Sequence, residues 1–140
     1  DDGIGAALRN AALRGVDVRL IVPGTSDLRI VSLAGRSYFD EMMASGVRIH
    51  LYRPTNLHSK VLVVDDDVGV IGSPNVDMRS FFLNFELGVF LYGRPQIEAL
   101  ANGFLEDLES SEAVDPVRFA RRSRPLQLLE DTCRIFSPLF

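Results

Sequence analysis

The sequence predicts an α/β domain in which helices on both faces cover a mixed central sheet, an α/β/α layering. Short β-branched segments alternate with helical ones over the first fifty residues, which is typical of parallel strand pairing. The length of 140 residues suits one domain, and we expect it to span residues 1–140. Hydrophobic residues make up 46% of the chain and charged residues 24%, so we expect a packed core rather than disorder.

Periodicity and local composition predict the individual elements. Strong helix formers or apolar residues three and four apart predict helices, and β-branched runs that end in turn residues predict strands. Three consecutive acidic residues, Asp65 to Asp67, predict a turn between two strands. The predicted helices cover 6–13, 28–45, 93–110 and a last segment carrying Leu126, Leu129, Cys133 and Phe136, and the predicted strands cover 18–22, 47–51, 60–64, 68–71 and 81–92.

Charge and cysteine content exclude several classes of protein. The net charge is −4 and the isoelectric point is about 5.1, so the chain lacks the basic field of a non-specific nucleic-acid binder. The single cysteine, Cys133, excludes an internal disulfide framework and a cysteine zinc site. The arginines of the segment 118–124 are typical of a solvated helix face, and attraction to anionic headgroups is the functional alternative.

Three polar pairs stand at the edges of consecutive predicted strands. His58 and Lys60 are two residues apart, and the same spacing separates Ser73 from Asn75 and Asn84 from Glu86. A two-residue spacing in extended chain points both side chains to one face. We therefore expect an imidazole, an ammonium, a hydroxyl, an amide and a carboxylate to share one pocket.

This combination of groups suits phosphoryl transfer. An imidazole can attack phosphorus or protonate a leaving alkoxide near neutral pH. An ammonium and an amide can stabilise the non-bridging oxygens, and a carboxylate can orient the imidazole. Lys60 is the only lysine among fifteen Lys and Arg residues, which indicates a need for a compact point charge at this position.

The same residues resemble the motif of the phospholipase D superfamily, His-x-Lys-x4-Asp-x6-Gly-Ser-x-Asn. His58-Ser59-Lys60, Asp65 and Gly72-Ser73-Pro74-Asn75 reproduce its spacing, and Glu86 follows Asn75 by eleven residues, where the superfamily keeps a carboxylate. The flanks resemble the C-terminal catalytic half of the bacterial cardiolipin synthase family. They are the segments 11–24, 34–39, 46–49, 75–80 and 137–140.

The resemblance implies a transfer in two steps that needs no metal and no cofactor. One histidine attacks a phosphodiester to form a phosphohistidine, a second histidine protonates the departing alcohol, and a second alcohol then displaces the histidine. The substrates implied are two phosphatidylglycerol molecules, and the products are cardiolipin and glycerol. The partners implied are this phospholipid, a membrane surface and no nucleic acid, and the location implied is the bacterial cell membrane, by cytoplasmic or peripheral association.

The resemblance also assigns roles to residues. His58, Lys60 and Asp65 are the expected catalytic set, with His58 as acid and base and Asp65 in a supporting role. Lys60, Ser73 and Asn75 are expected to bind the phosphate, and Glu86 to orient a histidine. Only one copy of the motif is present, because His50 is followed by Leu51 and Tyr52 rather than by x-Lys. The second copy is expected from an N-terminal domain or from a homodimer.

Two other functions stay open at this stage. A nuclease or phosphodiesterase of the same superfamily would use the same residues, although the acidic isoelectric point disfavours it. A non-catalytic half that serves as an interaction module is the second alternative. Asp77 and Arg79 either bind substrate or form an ion pair that shapes the loop, and His50 is expected to be structural.

Overall fold

The computed structural model describes residues 2–25 and 28–136, so the segment 137–140, which contributed to the resemblance, lies outside the described residues. The helices are α1 (Asp2–Leu13), α2 (Arg29–Arg36), α3 (Phe39–Ala44), α4 (Met78–Phe82), α5 (Arg94–Glu109), α6 (Pro116–Ala120) and α7 (Arg124–Ile135). The strands are β1 (Arg19–Pro23), β2 (Arg48–Tyr52), β3 (Val61–Val64), β4 (Val68–Gly72), β5 (Gly88–Leu91) and β6 (Ser111–Ala113).

The first sheet has the strand order β1-β2-β6 and contains most of the buried core. β1 and β2 run parallel, and β6 adds to β2 in the antiparallel direction. Val47 and Ile49 at β2 are each only 2% exposed and pack against Phe39 of α3 and Phe119 of α6. α3 and α6 thus cover the face of the first sheet that carries Ile49.

The second sheet has the order β3-β4-β5 and is antiparallel throughout. α5 packs across both sheets, and its Ile97 is 1% exposed. Many other apolar side chains of this region stay exposed, among them Leu62, Leu87, Phe90 and Tyr92. The second sheet is therefore covered only in part by the described chain.

The predicted fold class is confirmed, since helices flank mixed and antiparallel sheets. Two predicted elements were wrong. The helix expected over 28–45 is two helices, α2 and α3, because the chain turns at Ser37, whose Oγ donates to the carbonyl of Ala34 at 2.6 Å. The strand expected over 81–92 is confined to Gly88–Leu91, because Asp77 caps α4 by accepting the Ser80 N–H at 2.7 Å.

A buried ion network attaches the C-terminal helix to the first part of the chain. Glu130 of α7 is completely buried and accepts from Arg36 Nε of α2 at 2.8 Å and from Arg122 Nε at 2.6 Å. Arg122 also donates to Asp40 of α3 at 2.7 Å and lies over the ring of Phe119, 4.0 Å from its centroid. α7 is therefore held by charge-assisted hydrogen bonds as well as by apolar contact.

Candidate active site

The three predicted polar pairs meet at one end of the second sheet. His58 and Lys60 precede β3, Ser73 and Asn75 follow β4, and the pair Asn84 and Glu86 precedes β5. Because β4 is antiparallel to both neighbours, the end of β4 lies beside the starts of β3 and β5. Asn84 and Glu86 lie in the loop before the strand rather than in it, which corrects the predicted placement without separating them from the site.

Backbone contacts hold the three segments together. The N–H of Gly72 donates to the carbonyl of Lys60 at 3.1 Å, and the N–H of Ser73 donates to the carbonyl of Leu87 at 2.9 Å. A Cβ at Gly72 would lie 2.5 Å from the carbonyl oxygen of Leu87. The motif glycine is therefore required by the close approach of the chain segments at this edge.

Lys60 contacts His58 directly. Its Nζ lies 2.9 Å from Nδ1 of the imidazole and donates to the carbonyl of His58 at 2.8 Å. An ammonium can only donate, so Nδ1 accepts this hydrogen bond and the proton of the neutral ring is on Nε2. His58 is exposed and Lys60 is half-buried, so both groups are accessible to a substrate.

Glu86 is held by hydroxyl and amide donors. Ser73 Oγ donates to Glu86 Oε2, and Asn84 Nδ2 donates to Oε1 at 3.4 Å. The hydrogen bond from Ser73 lowers the pKa of Glu86 most, and hydrogen bonds from Asn84 and Ser80 lower it further against the opposing effects of burial and Asp77. Glu86 is thus a fixed carboxylate, while the hydrogen bond at His58 Nδ1 comes from Lys60.

Ser80 is a site residue that the sequence analysis did not identify. It is only 6% exposed, and its Oγ accepts the N–H of Asn75 at 3.1 Å as well as contacting Glu86. Asp77 binds the Ser80 N–H and so acts as the N-cap of α4. The Asp-x-x-Ser spacing was the available signal, because Asp is a preferred N-cap residue.

Asp65 lies away from the other predicted site residues. It follows β3, whereas His58 and Lys60 precede it, so the strand separates Asp65 from Lys60 by roughly 15 Å. It adopts a positive φ of 48° in the turn before β4, a conformation that Asp tolerates better than most residues. The structure brings together five of the six predicted site residues and leaves Asp65 in the predicted acidic turn.

An apolar cleft adjoins the site. It has a volume of about 390 Å³ and is lined by Ile71, Gly72, Ser73, Leu87 and Val89. Phe85, next to Glu86, is fully exposed. Polar groups that can bind a phosphate therefore lie directly beside exposed apolar surface.

The described ranges hold neither a metal-binding cluster nor a helix that could span a membrane. Within residues 2–25 and 28–136, three or more His, Cys, Asp or Glu side chains do not come together in a group that could hold a metal ion. In the same ranges, no helix combines the length and apolarity needed to cross a bilayer.

Known proteins resemble the chain over nearly its whole length. It is 48% identical over 139 residues to cardiolipin synthase 2 of Bacillus anthracis, and 45% identical to cardiolipin synthase of Halalkalibacterium halodurans. These alignments cover 99% of this chain but only 27% and 28% of the two relatives. The chain thus spans little more than a quarter of the length of these proteins.

A solved structure supports the fold at low sequence identity. Phosphatidylserine synthase of Haemophilus influenzae superposes with a TM-score of 0.73 at 14% identity, over 100% of this chain and 39% of that protein. The family described as cardiolipin synthase, PLD-like domain, matches residues 1–108, which include every residue of the candidate site. The predicted resemblance is confirmed, and the chain belongs to the PLD-like (phospholipase D-like) domain family of cardiolipin synthase.

Proposed function

We propose that the chain supplies half of a two-histidine active site that transfers a phosphatidyl group between two phosphatidylglycerol molecules, giving cardiolipin and glycerol. The observation that carries the proposal is the convergence of His58, Lys60, Ser73, Asn75 and Glu86 at one end of the second sheet. Its relatives are named cardiolipin synthases, and the apolar cleft beside Ser73 suits the lipid part of such a substrate.

The proposed chemistry divides between two imidazoles. A histidine from the second half attacks phosphorus, so that a P–N bond forms while the P–O bond to the leaving glycerol breaks. Protonated His58 gives its proton to that oxygen. The hydroxyl of the second phosphatidylglycerol then attacks phosphorus, the P–N bond breaks, and His58 takes the hydroxyl proton. Each step balances without a metal or an organic cofactor.

The other site residues would act on charge and orientation. The Lys60 ammonium and the Asn75 amide would donate to the non-bridging oxygens, where negative charge is highest during the transfer. When Lys60 turns toward the phosphate, it leaves Nδ1 of His58 and that nitrogen can carry a proton. Ser73 would donate to phosphate or keep its hydrogen bond to Glu86, and Asp65 would support the turn that ends β3.

The proposed partner is a second half that carries its own motif. His58 and Glu86 are exposed, and Phe85, Leu87 and Phe90 around them expose apolar surface. Covering these apolar groups would be favourable, and excluding water would strengthen every electrostatic interaction in the site. The second half would come from an N-terminal domain or from a second copy of this chain, with the complete enzyme at the bacterial membrane.

A chimera tests the proposal under conditions in which both halves are present. The chain replaces the matching 27% of the Bacillus anthracis relative, and cardiolipin and glycerol are followed by mass spectrometry in phosphatidylglycerol micelles containing EDTA. We expect turnover, and we expect His58→Ala to reduce it at least about 10³-fold. Retained turnover in this variant would exclude the proposed role of His58.

Two further arms identify the partner and the reaction class. The chain alone is assayed for the same transfer, and sedimentation velocity measures its oligomeric state. Activity of a dimer would identify the second copy as the partner. Ser59→Ala is the matched variant for His58→Ala, since Ser59 is exposed and lies between the two motif residues. Cleavage of DNA by the chimera without lipid transfer would instead favour the nuclease alternative.

A further inference from the structure

A second cavity lies at the edge of the first sheet, away from the candidate active site. Its volume is about 420 Å³, and it opens where β6 ends and α6 begins. Its walls are mainly apolar, and Met43, Leu108 and Val114 are among the residues that line it. This volume lies within the usual range of about 300–1,000 Å³ for small-molecule sites.

The cavity carries positive charge on one side. Arg19 of β1 and Arg48 of β2 are register partners and both line it. Asp17 forms ion pairs with both, and these hydrogen bonds lower the pKa of Asp17 to about 2. The two arginines and Asp17 together carry one net positive charge. No acidic side chain is found among the described residues that line the cavity.

His50 adds a polar group whose hydrogen-bonding capacity is not used. It is half-buried and lines the same cavity, and within residues 2–25 and 28–136 its ring makes no hydrogen bond. Burial lowers the pKa of His50 most, and the charges of Arg48 and Arg19 lower it further, so the ring is neutral near pH 7. A neutral imidazole offers one donor and one acceptor.

We propose that this cavity binds a single-chain amphiphile with one anionic head group, either a phosphate monoester or a carboxylate. The head group would accept hydrogen bonds from Arg19, Arg48 and the N–H of His50, and the alkyl chain would lie on the apolar walls. The charge repels a cationic head group, and an uncharged ligand would not use the free guanidinium donors. None of the lining residues belongs to the candidate active site, so this binding does not depend on the proposed transfer reaction.

Titration of the 140-residue chain with eight-carbon amphiphiles that differ in their head group tests the proposal. The chain has two histidines, so NMR of the imidazole rings reports on the cavity through His50 and on the active site through His58. The concentration at which the His50 signals shift gives the dissociation constant of each compound. We expect octyl phosphate or octanoate to bind at least tenfold more tightly than octanol, octylammonium or inorganic phosphate. Comparison of octyl phosphate with octanoate identifies which anionic head group is preferred.

Two arginine variants assign the effect to the cavity. Arg48→Gln is expected to weaken the His50 response about tenfold or more, because one charge-assisted hydrogen bond is lost. Arg94→Gln is the matched control, since Arg94 pairs with Glu98 of the same helix, α5, at 3.0 Å and does not line the cavity. Equal binding of octanol, a response of His58 alone, or equal effects of both variants would overturn the proposal.

Discussion

The two sheets of this chain differ in how much of their apolar surface the chain itself covers. In the first sheet, Ile49 of β2 is 2% exposed and lies among Phe39, Met42 and Phe119. In the second sheet, Phe90 of β5 is 60% exposed although it pairs with Val70 at the centre of β4. The first sheet thus carries the core of the chain, whereas the second carries the candidate site and leaves much of its apolar surface open.

The charged groups of the two regions differ in the same way. Glu130 is completely buried between two arginines, while Glu86 is exposed and held by neutral donors. A buried carboxylate depends on its cationic partners for stability. An exposed carboxylate held by hydroxyls contributes little to folding and remains available for chemistry. The comparison therefore separates residues that stabilise the chain from residues that are positioned for a substrate.

The largest expected effect comes from removing the buried carboxylate. Glu130→Ala leaves the guanidinium groups of Arg36 and Arg122 without their shared partner, and we expect it to lower the free energy of unfolding by about 3–5 kcal/mol. Glu86→Ala is the matched variant and should change the free energy of unfolding far less, because Glu86 is exposed and its partners are neutral. Urea unfolding at pH 7, followed by circular dichroism, measures both values. Equal losses for the two variants would contradict the comparison.

A smaller contrast is expected between two apolar residues. Ile49→Ala removes buried methyl groups from the core and should cost about 2–5 kcal/mol. Phe90→Ala removes a ring that is mostly exposed in the described chain, and we expect a cost below about 1 kcal/mol. Urea unfolding of both variants of the isolated chain gives the values. A loss of 3 kcal/mol or more for Phe90→Ala would show that the second sheet already has a complete core.

The sequence predicted the presence of most helices and strands better than the points at which they end. Short β-branched runs bounded by turn residues predicted β1 to β4, because such residues fit a pleated, partly buried strand. The aromatic and apolar residues over 81–92 favour a strand, but Asp77 caps a short helix that includes Phe81 and Phe82. β6 was missed because Ser111–Ala113 has no strand pattern and depends on its pairing with β2.

The candidate site was predictable where fixed spacing carried the signal. His58, Lys60, Ser73, Asn75 and Glu86 were found from two-residue spacings and the motif, and antiparallel pairing brings them to one edge. Ser80 was not found, because its contacts with Asn75 and Glu86 depend on the turn that α4 makes. The cavity at Arg19 and His50 was not predicted either, since it arises from the packing of α3, α5 and α6 around β2.

The smallest expected effect concerns the acid titration of Glu86. Ser73→Ala removes the hydrogen bond that most lowers the pKa of Glu86, so we expect its pKa to rise toward the ordinary value. ¹³C NMR of the side-chain carboxyl measures the titration, and Ser59→Ala, which removes another exposed hydroxyl near His58, should leave it unchanged.

The direction of the pKa shift also fixes the sign of the effect on stability. Because folding lowers this pKa, the stabilisation is present above the ordinary pKa and is lost as the pH falls through the lowered one. Ser73→Ala should therefore destabilise the chain slightly at neutral pH and hardly at all at strongly acidic pH. A pKa of Glu86 that stays equal in Ser73→Ala and the parent chain would show that the open end of the second sheet does not hold its carboxylate in place.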